Sequence, residues 1–508
     1  MVGLAVGIAF SACSAPAPTP APTPLTPLPT EALPPLPAEG RPLEPVPEVA
    51  PPGFSDPPPG RGLSRYAGQR LDWRVCGTLD CATLLVPLDY RAPDRQAITL
   101  TVGRRPAGNG PALGTVLLNP GGPGGSGLDF LRAYEGLDRF DRISWDPRGA
   151  GQSTPVRCWD QAQMDALQAV DFSPDDAAER EALIAAQRSF GRSCLEQSGP
   201  LLAQVSTAAT VRDLDLIRDA LGLDTINYLG FSNGSLLGAG YAQLFPDRVG
   251  RMVLDGAVNI SGSPITQPYG FERALVALAD WCAAQRCGLG ESREEVLAAV
   301  TGLWDRLDAE PMVVGRRQLT QSMAVGAVTQ ALYFGPPGWA GVSRAVRAAT
   351  SDGDGTELLA WADRYAERRP DGSYDQFAYA FPASNCADSS TDDLATADAE
   401  AAAAVRQAPV MGPHLGPDFL CAVWPVASPP GLPKLTAPDA PQIVVIGTTG
   451  DPATPYEWAV GMAGQLATAR LVTHRGEGHS SYGDAECVAQ VVLPYLSEGR
   501  LPAPGAEC

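Results

Sequence analysis

Histidine, basic side chains and long hydrophobic runs are all scarce in this sequence. Lysine and arginine total 37 against 57 aspartates and glutamates, and the formal net charge is −20. Such an acidic chain repels nucleic acid and anionic membrane surfaces, which argues against both as partners. Only three histidines are present, and none lies near a cysteine pair except beside Cys487, which argues against zinc sites. We expect no metal and no cofactor.

The apolar run at residues 2–12 is too short to span a bilayer. It leads into a Phe-Ser-Ala sequence before Cys13, and these residues suit cleavage at a small-residue site. We interpret residues 1–13 as a lipoprotein-type signal peptide that ends at a lipidated Cys13. This predicts an exported protein, either a cell-envelope lipoprotein or a secreted one. An ordinary secretory signal with an incidental cysteine is the alternative.

The chain contains eleven cysteines, and ten remain when Cys13 is set aside. An even number in an exported chain favours disulfides, because an oxidising compartment allows them to form. Short spacing favours two pairs, Cys76 with Cys81 and Cys282 with Cys287. Spacing alone leaves the pairing of the other six cysteines open.

The chain is long enough to bury a large core, with 508 residues of which 44% are hydrophobic. Residues 15–60 are rich in proline, alanine, threonine and glutamate, a composition typical of an extended, solvated linker. Beyond it, apolar strands alternate with helical patterns, which favours a mostly parallel α/β sheet. The predicted organisation has five segments: signal peptide 1–13, linker 14–62, α/β core 63–260, inserted helical cap 261–434, and the rest of the core 435–508.

A Gly-x-Ser-x-Gly sequence stands where a predicted strand meets a predicted helix. Residues 226–231 form a short apolar run typical of a buried strand, and apolar residues at helical spacing follow until Pro246. A serine on a tight strand-to-helix turn needs small residues two positions away on both sides, and Gly230 and Gly234 supply them. Ser232 is therefore the candidate nucleophile.

A serine hydroxyl needs a histidine base that a carboxylate orients. His479 lies on a glycine-flanked loop after the last predicted strand, and we prefer it over His414 and His474. Asp451 follows the preceding strand in an Asp-Pro turn, and gives the order Ser, Asp, His that α/β-hydrolases use. Asp484 is a competing carboxylate, but it comes after the histidine and fits that order badly.

Glycines dominate the loop at residues 119–127, which follows another predicted strand. Such a loop exposes backbone N–H groups, and it lacks the lysine that a phosphate-binding P-loop requires. We predict that the N–H groups of Gly122 and Asn233 form an oxyanion hole. A plain turn is the alternative interpretation of the loop.

Together these stretches resemble the secreted tripeptidyl-aminopeptidase branch of the prolyl-aminopeptidase-like α/β-hydrolases. The similarity covers nearly the whole chain beyond the linker. It lies in the glycine loop, the Asp-Pro-Arg-Gly turn at 146–149, the Ser232 turn, residues 254–256, residues 451–455, and residues 478–479. Asn233 departs from the pattern, because relatives commonly carry an aromatic residue there.

The resemblance implies an α/β-hydrolase fold, with a mostly parallel sheet, an inserted helical cap and a triad of Ser232, Asp451 and His479. It implies a serine exopeptidase that releases di- or tripeptides from peptide N-termini through an acyl-enzyme. It also implies three further disulfides: Cys158 with Cys194, Cys386 with Cys421, and Cys487 with Cys508.

Two other functions stay open at this point. A cell-envelope carboxylesterase is the first alternative, because the same triad cleaves esters. A non-catalytic envelope binding protein that keeps the fold is the second. An exopeptidase should offer a carboxylate to the α-ammonium group of its substrate, since a buried cation needs a partner. Asp388, beside Cys386, is the candidate for that contact.

Overall fold

The structure is a computed structural model that describes residues 53–108 and 110–508. The predicted signal peptide, Cys13 and nearly all of the linker lie outside the described residues. Within the described part, every helix is too short or too polar to cross a bilayer.

In the described residues, one large sheet forms the centre of the structure, and a separate two-stranded hairpin accompanies it. The strands are β1 (Phe54–Ser55), β2 (Arg74–Cys76), β3 (Leu79–Pro87), β4 (Ala97–Arg105), β5 (Thr115–Asn119), β6 (Asp141–Asp146), β7 (Ile226–Phe231), β8 (Val249–Asp255), β9 (Met312–Val314), β10 (Arg317–Leu319), β11 (Ile443–Gly450), β12 (Ala469–Glu477) and β13 (Ala506–Glu507).

The large sheet has the order β13-β12-β11-β8-β7-β5-β6-β4-β3-β2, and β1 pairs with β4. The seven strands from β13 to β6 are parallel. The strands at the other edge pair antiparallel. The mostly parallel α/β sheet predicted from the sequence is confirmed.

Fifteen α-helices surround the sheet in the described residues. They are α1 (Gly127–Ala133), α2 (Gln161–Gln168), α3 (Ala177–Ser198), α4 (Thr207–Ala220), α5 (Asn233–Leu244), α6 (Gln267–Gln285), α7 (Arg293–Ala309), α8 (Gln321–Leu332), α9 (Pro336–Arg347), α10 (Thr356–Tyr365), α11 (Phe377–Asp388), α12 (Leu394–Gln407), α13 (Gly412–Leu415), α14 (Tyr456–Gln465) and α15 (Glu486–Glu498).

The central strands are apolar because helices cover both of their faces. In β5, Val116, Leu117 and Leu118 are fully buried, and β11 is buried from its first residue through Thr448. Leu117 belongs to the core cluster on one face of the sheet, whereas Val116 and Leu118 belong to the cluster on the other face.

Helices α6 to α13 lie between β8 and β11 in the sequence, in the stretch predicted as a helical cap. Most of these helices pack around a hydrophobic cluster of their own. Two features there and nearby were not predicted: the hairpin of β9 and β10, and the helices α2 and α3 between β6 and β7. Leu183 and Ile184 of α3 pack with Ala397 and Phe419, so α3 extends the helical layer. The exact domain boundaries stay a prediction.

Five disulfides join the ten described cysteines. They are Cys76–Cys81, Cys158–Cys194, Cys282–Cys287, Cys386–Cys421 and Cys487–Cys508. These are the pairs that spacing and the family resemblance suggested.

Candidate active site

The predicted triad and oxyanion-hole residues follow strands of the same parallel part of the sheet, where β8 separates β11 and β12 from β7 and β5. Ser232 follows β7, the glycine loop follows β5, Asp451 follows β11 and His479 comes two residues after β12. Because these strands are parallel, their carboxyl ends meet at one edge, where open α/β sheets commonly bind ligands. The fold thus collects these residues at the carboxyl edge of the sheet.

Ser232 occupies a strained turn between β7 and α5. Its backbone has φ 54° and ψ −124°, a conformation that a non-glycine residue adopts at a cost in free energy. The Ser232 N–H donates to the carbonyl oxygen of Asp255 at 2.8 Å. A Cβ atom on Gly230 would lie 2.3 Å from the Gly234 carbonyl oxygen, so the close turn excludes a side chain there.

The glycine loop packs directly against this turn. A Cβ atom on Gly121 would lie 2.4 Å from the carbonyl oxygen of Phe231 and 3.0 Å from the Cβ atom of Ser232. Among the described residues, neither the Gly122 N–H nor the Asn233 N–H has a hydrogen-bond partner. Asn233 is also the first residue of α5, where the helix dipole favours negative charge. The two N–H groups are therefore available to an oxyanion.

Asp451 and His479 form a direct pair. The Nδ1 atom of His479 lies 2.9 Å from Oδ1 and 3.0 Å from Oδ2 of Asp451. The Asp451 side chain is fully buried and that of His479 is 14% exposed. Among the described residues, the Ser232 hydroxyl makes no hydrogen bond to His479. Catalytic hydrogen bonds of this kind often tighten only when substrate binds.

The pKa of His479 results from opposing effects. Burial lowers it, but the charge of Asp451 and its hydrogen bond raise it, and the net result lies above the ordinary value of 6.5. The charge of Asp255 contributes a further increase. This environment favours the imidazolium ion that forms when the histidine accepts a proton.

Thr454 is a site residue that the sequence analysis missed. Its hydroxyl donates to Asp451 Oδ2 at 2.9 Å and lies 3.4 Å from Nδ1 of His479, and its N–H donates to Asp451 Oδ1 at 2.8 Å. The signal was present in the Asp-Pro-Ala-Thr sequence, because an aspartate often accepts hydrogen bonds from residues two and three positions later.

The competing residues lie in other surroundings. His414 contacts Ser173 at 2.7 Å, and burial lowers its pKa to about 4. His474 lies 3.4 Å from the hydroxyl of Thr448, and burial lowers its pKa as well. Asp484 is exposed. None of the three contacts Asp451 or Ser232 in the described structure.

Helix α11 covers the glycine loop. A Cβ atom on Gly122 would lie 2.7 Å from the ring of Phe377, and one on Gly124 would lie 2.9 Å from the Cβ atom of Ala380. Just before the helix, the amide of Gln376 donates to the carbonyl oxygens of Gly149 and Val156 and accepts from the Gly151 N–H. This side chain therefore fastens the start of α11 to the core.

Asp388 lies at the other end of α11, about 16 Å along the helix from Phe377. Its carboxylate accepts hydrogen bonds from the N–H and the hydroxyl of Thr207, the first residue of α4. The residue as a whole is exposed, but these contacts shield its carboxylate, and burial raises the pKa of that group to about 6. Asp388 thus ties α11 to α4, and its predicted contact with a substrate stays a prediction.

One acidic cluster in the described chain could in principle hold a metal ion. It comprises Asp175, Asp176 and Glu179, which are on the surface at the start of α3. Local structure already explains these residues, because Asp176 caps the helix and Glu179 accepts from the Asp175 N–H. The cluster is remote in sequence from the predicted catalytic residues Ser232, Asp451 and His479.

Comparison with known proteins finds relatives that point to one family. A family model described as TAP-like protein matches residues 408–508. Serine protease Hip1 of Mycobacterium tuberculosis is 35% identical over 483 residues, which cover 87% of this chain and 91% of the relative. Carboxylesterase B of the same organism is 35% identical over 456 residues, with coverages of 85% and 86%.

A third relative is the tripeptidyl aminopeptidase of Streptomyces lividans. It is 32% identical over 464 residues, which cover 86% of this chain and 85% of the relative. Identities above 30% over most of both chains, together with the α/β sheet, establish the relationship. The chain is a serine hydrolase, and it belongs to the tripeptidyl-aminopeptidase-like family of α/β-hydrolases.

Proposed function

We propose that the protein is a serine exopeptidase that releases short peptides, of two or three residues, from the N-termini of peptide substrates. The observation that carries the proposal is the buried Asp451–His479 pair at the same sheet edge as the strained Ser232 turn. The names of two relatives, a serine protease and a tripeptidyl aminopeptidase, support a peptide substrate.

In the proposed mechanism, the Ser232 hydroxyl attacks the peptide carbonyl carbon and His479 Nε2 accepts its proton. Asp451 holds the ring through Nδ1 and stabilises the imidazolium. The N–H groups of Gly122 and Asn233 stabilise the oxyanion. The histidine then returns the proton to the departing amine, and water hydrolyses the acyl-enzyme to release the short peptide.

The decisive test compares one short peptide substrate with and without N-terminal acetylation. An exopeptidase of this kind binds the charged α-ammonium group, and losing a charged hydrogen bond typically costs about 1.5–3 kcal/mol. We expect acetylation to lower kcat/KM by roughly tenfold to a hundredfold. A ratio near one would overturn the exopeptidase proposal.

Asp388 is the proposed partner of the α-ammonium group. The substitution Asp388→Asn keeps the size of the side chain and an acceptor for Thr207, but it removes the charge. We expect the ratio of kcat/KM for the free peptide to kcat/KM for the acetylated peptide to fall toward one. Asp418→Asn is the matched control, because Asp418 is another acidic residue of the helical region whose carboxylate also accepts a backbone hydrogen bond, from the Leu420 N–H. If this ratio is unchanged in Asp388→Asn, a different residue binds the α-ammonium group.

A carboxylesterase is the second candidate, because one relative at 35% identity is named carboxylesterase B. An ester and an amide with the same acyl group separate the two functions. An exopeptidase should hydrolyse the amide with a free N-terminus efficiently. Hydrolysis of the ester alone would favour the esterase.

We also propose that the enzyme is exported and that Cys13 carries a lipid anchor. The sequence supports this through the short apolar run before Cys13 and the even number of other cysteines. Intact-mass analysis of the mature protein from its native membrane fraction should show a lipid-modified N-terminus at Cys13. A mature chain that starts elsewhere would exclude the anchor.

A further inference from the structure

A second buried carboxylate, Asp255, lies beside the triad. Asp255 ends β8, between β7, which leads to the nucleophile, and β11, which leads to Asp451. Its backbone carbonyl oxygen accepts the Ser232 N–H at 2.8 Å. Its side chain turns to the histidine loop, which we define as residues 479–482. One residue therefore contacts both the nucleophile turn and the histidine loop.

All four N–H groups of the histidine loop donate to fixed acceptors. The donors and acceptors are His479 to the Tyr333 carbonyl at 2.8 Å, Ser480 to Asp451 Oδ2 at 3.1 Å, Ser481 to Asp255 Oδ2 at 3.0 Å, and Tyr482 to Asp255 Oδ2 at 2.6 Å. Asp255 thus supplies the acceptor for half of these bonds.

The loop needs these bonds because its backbone is strained. Ser480 has φ 66°, a conformation that costs a non-glycine residue roughly 1–3 kcal/mol and persists only when the surroundings hold it. The loop also approaches β8 closely, since a Cβ atom on Gly256 would lie 3.2 Å from His479 Cε1. Loss of the Asp255 acceptor would let the loop relax and move the imidazole.

Burial of the negative charge of Asp255 is energetically unfavourable. The residue is 0% exposed, and its Oδ1 atom has no hydrogen-bond partner among the described residues. Burial raises its pKa to about 6, although the N–H groups of Ser481 and Tyr482 oppose this. A neutral side chain would hold the loop without that cost. The charged groups that act on Asp255 are Asp451 and His479.

We propose that Asp255 is a positioning residue for His479: its carboxylate fixes the histidine loop, and its negative charge favours the protonated imidazole during catalysis. This inference rests on the proposed role of His479 as the base. Removal of the charge should make His479 a weaker base. The acid limb of the pH profile of kcat/KM then moves to lower pH, because the base must be neutral in the free enzyme.

The test uses Asp255→Asn in the full-length enzyme, with a short peptide of free N-terminus as substrate. We expect kcat to fall about tenfold or more, KM to change little, and the acid limb to move to lower pH. Asp484→Asn is the matched control, because it removes an exposed carboxylate just after the same loop. Its acid limb should stay at the wild-type pH.

An unmoved acid limb in folded Asp255→Asn would overturn the inference, whatever happens to kcat. Circular dichroism establishes that the variant is folded. If it is not, Asp255→Ser takes its place, because serine is neutral, smaller and still able to accept a hydrogen bond. His479→Ala distinguishes a failure of the proposed function from a failure of this inference. If it keeps full turnover, the proposed function fails and this inference falls with it. If it is inactive while the acid limb of Asp255→Asn stays in place, only the inference fails.

Discussion

The carboxyl edge of the sheet and the helix that covers it are held in different ways. At the edge, backbone groups fix the turn at Ser232: its N–H donates to the Asp255 carbonyl oxygen, and glycines allow contacts that any Cβ atom would block. Helix α11 is fastened by side chains near its two ends, among them Gln376 and Asp388. Activity should therefore be almost abolished when Ser232 or His479 at the edge is replaced, and should fall only partly when α11 is loosened.

The largest effect should come from Ser232→Ala. It removes the nucleophile while Gly230 and Gly234 keep the turn, so we expect turnover to fall by about 10⁵–10⁶-fold with little change in Tm. Labelling by a fluorophosphonate probe should disappear. Labelling at the wild-type rate would exclude Ser232 and would break the link between this edge and the chemistry.

Replacement of the base should have the next largest effect. His479→Ala removes the partner of Asp451, and we expect a loss of several orders of magnitude in kcat. His474→Ala is the matched control, because His474 lies on β12, the strand that leads to His479, and its one hydrogen bond in the described structure is to Thr448. It should keep most of the activity. The reverse result would assign the base to His474.

A smaller loss should follow Thr454→Val, which keeps the shape but removes the hydroxyl that donates to Asp451. Asp451 retains three N–H donors, from Ala453, Thr454 and Ser480. We expect kcat to fall by about tenfold, the low end for loss of a hydrogen bond to a charged group, because the three N–H donors remain. Thr448→Val is the control, because it removes a similar threonine–histidine contact outside the site. Equal losses in both variants would point to stability alone.

Features that depend on local backbone geometry could be predicted from the sequence, whereas features that depend on distant side chains could not. The strand at 226–231 and the tight glycine turn are local features, so periodicity and the Gly-x-Ser-x-Gly spacing were enough to place them. Helix α3 was not assigned, because alanines and charged residues separate its apolar positions and its buried face is defined by partners such as Phe419. The role of Asp255 could not be predicted from the sequence either, because its partners Ser481 and Tyr482 lie more than 200 residues away along the chain.

The smallest effect on activity should come from the helical side. Gln376→Ala removes three hydrogen bonds between the start of α11 and the core, and we expect the free energy of unfolding to fall by about 1–3 kcal/mol. Phe377 would then pack less closely against Gly122. We expect kcat to fall only a few-fold, because the proposed oxyanion donors are backbone N–H groups at the sheet edge.

Gln407→Ala is the matched control for this loss. Gln407 also links separate segments, by bonds to Pro264 and Thr266, and its described hydrogen bonds do not involve the glycine loop. Thermal unfolding should reveal some loss of stability in both variants, whereas kcat should fall only in Gln376→Ala. A loss of kcat in Gln376→Ala as large as that in His479→Ala would show that α11, and not the backbone of the edge, sets the geometry of the oxyanion hole.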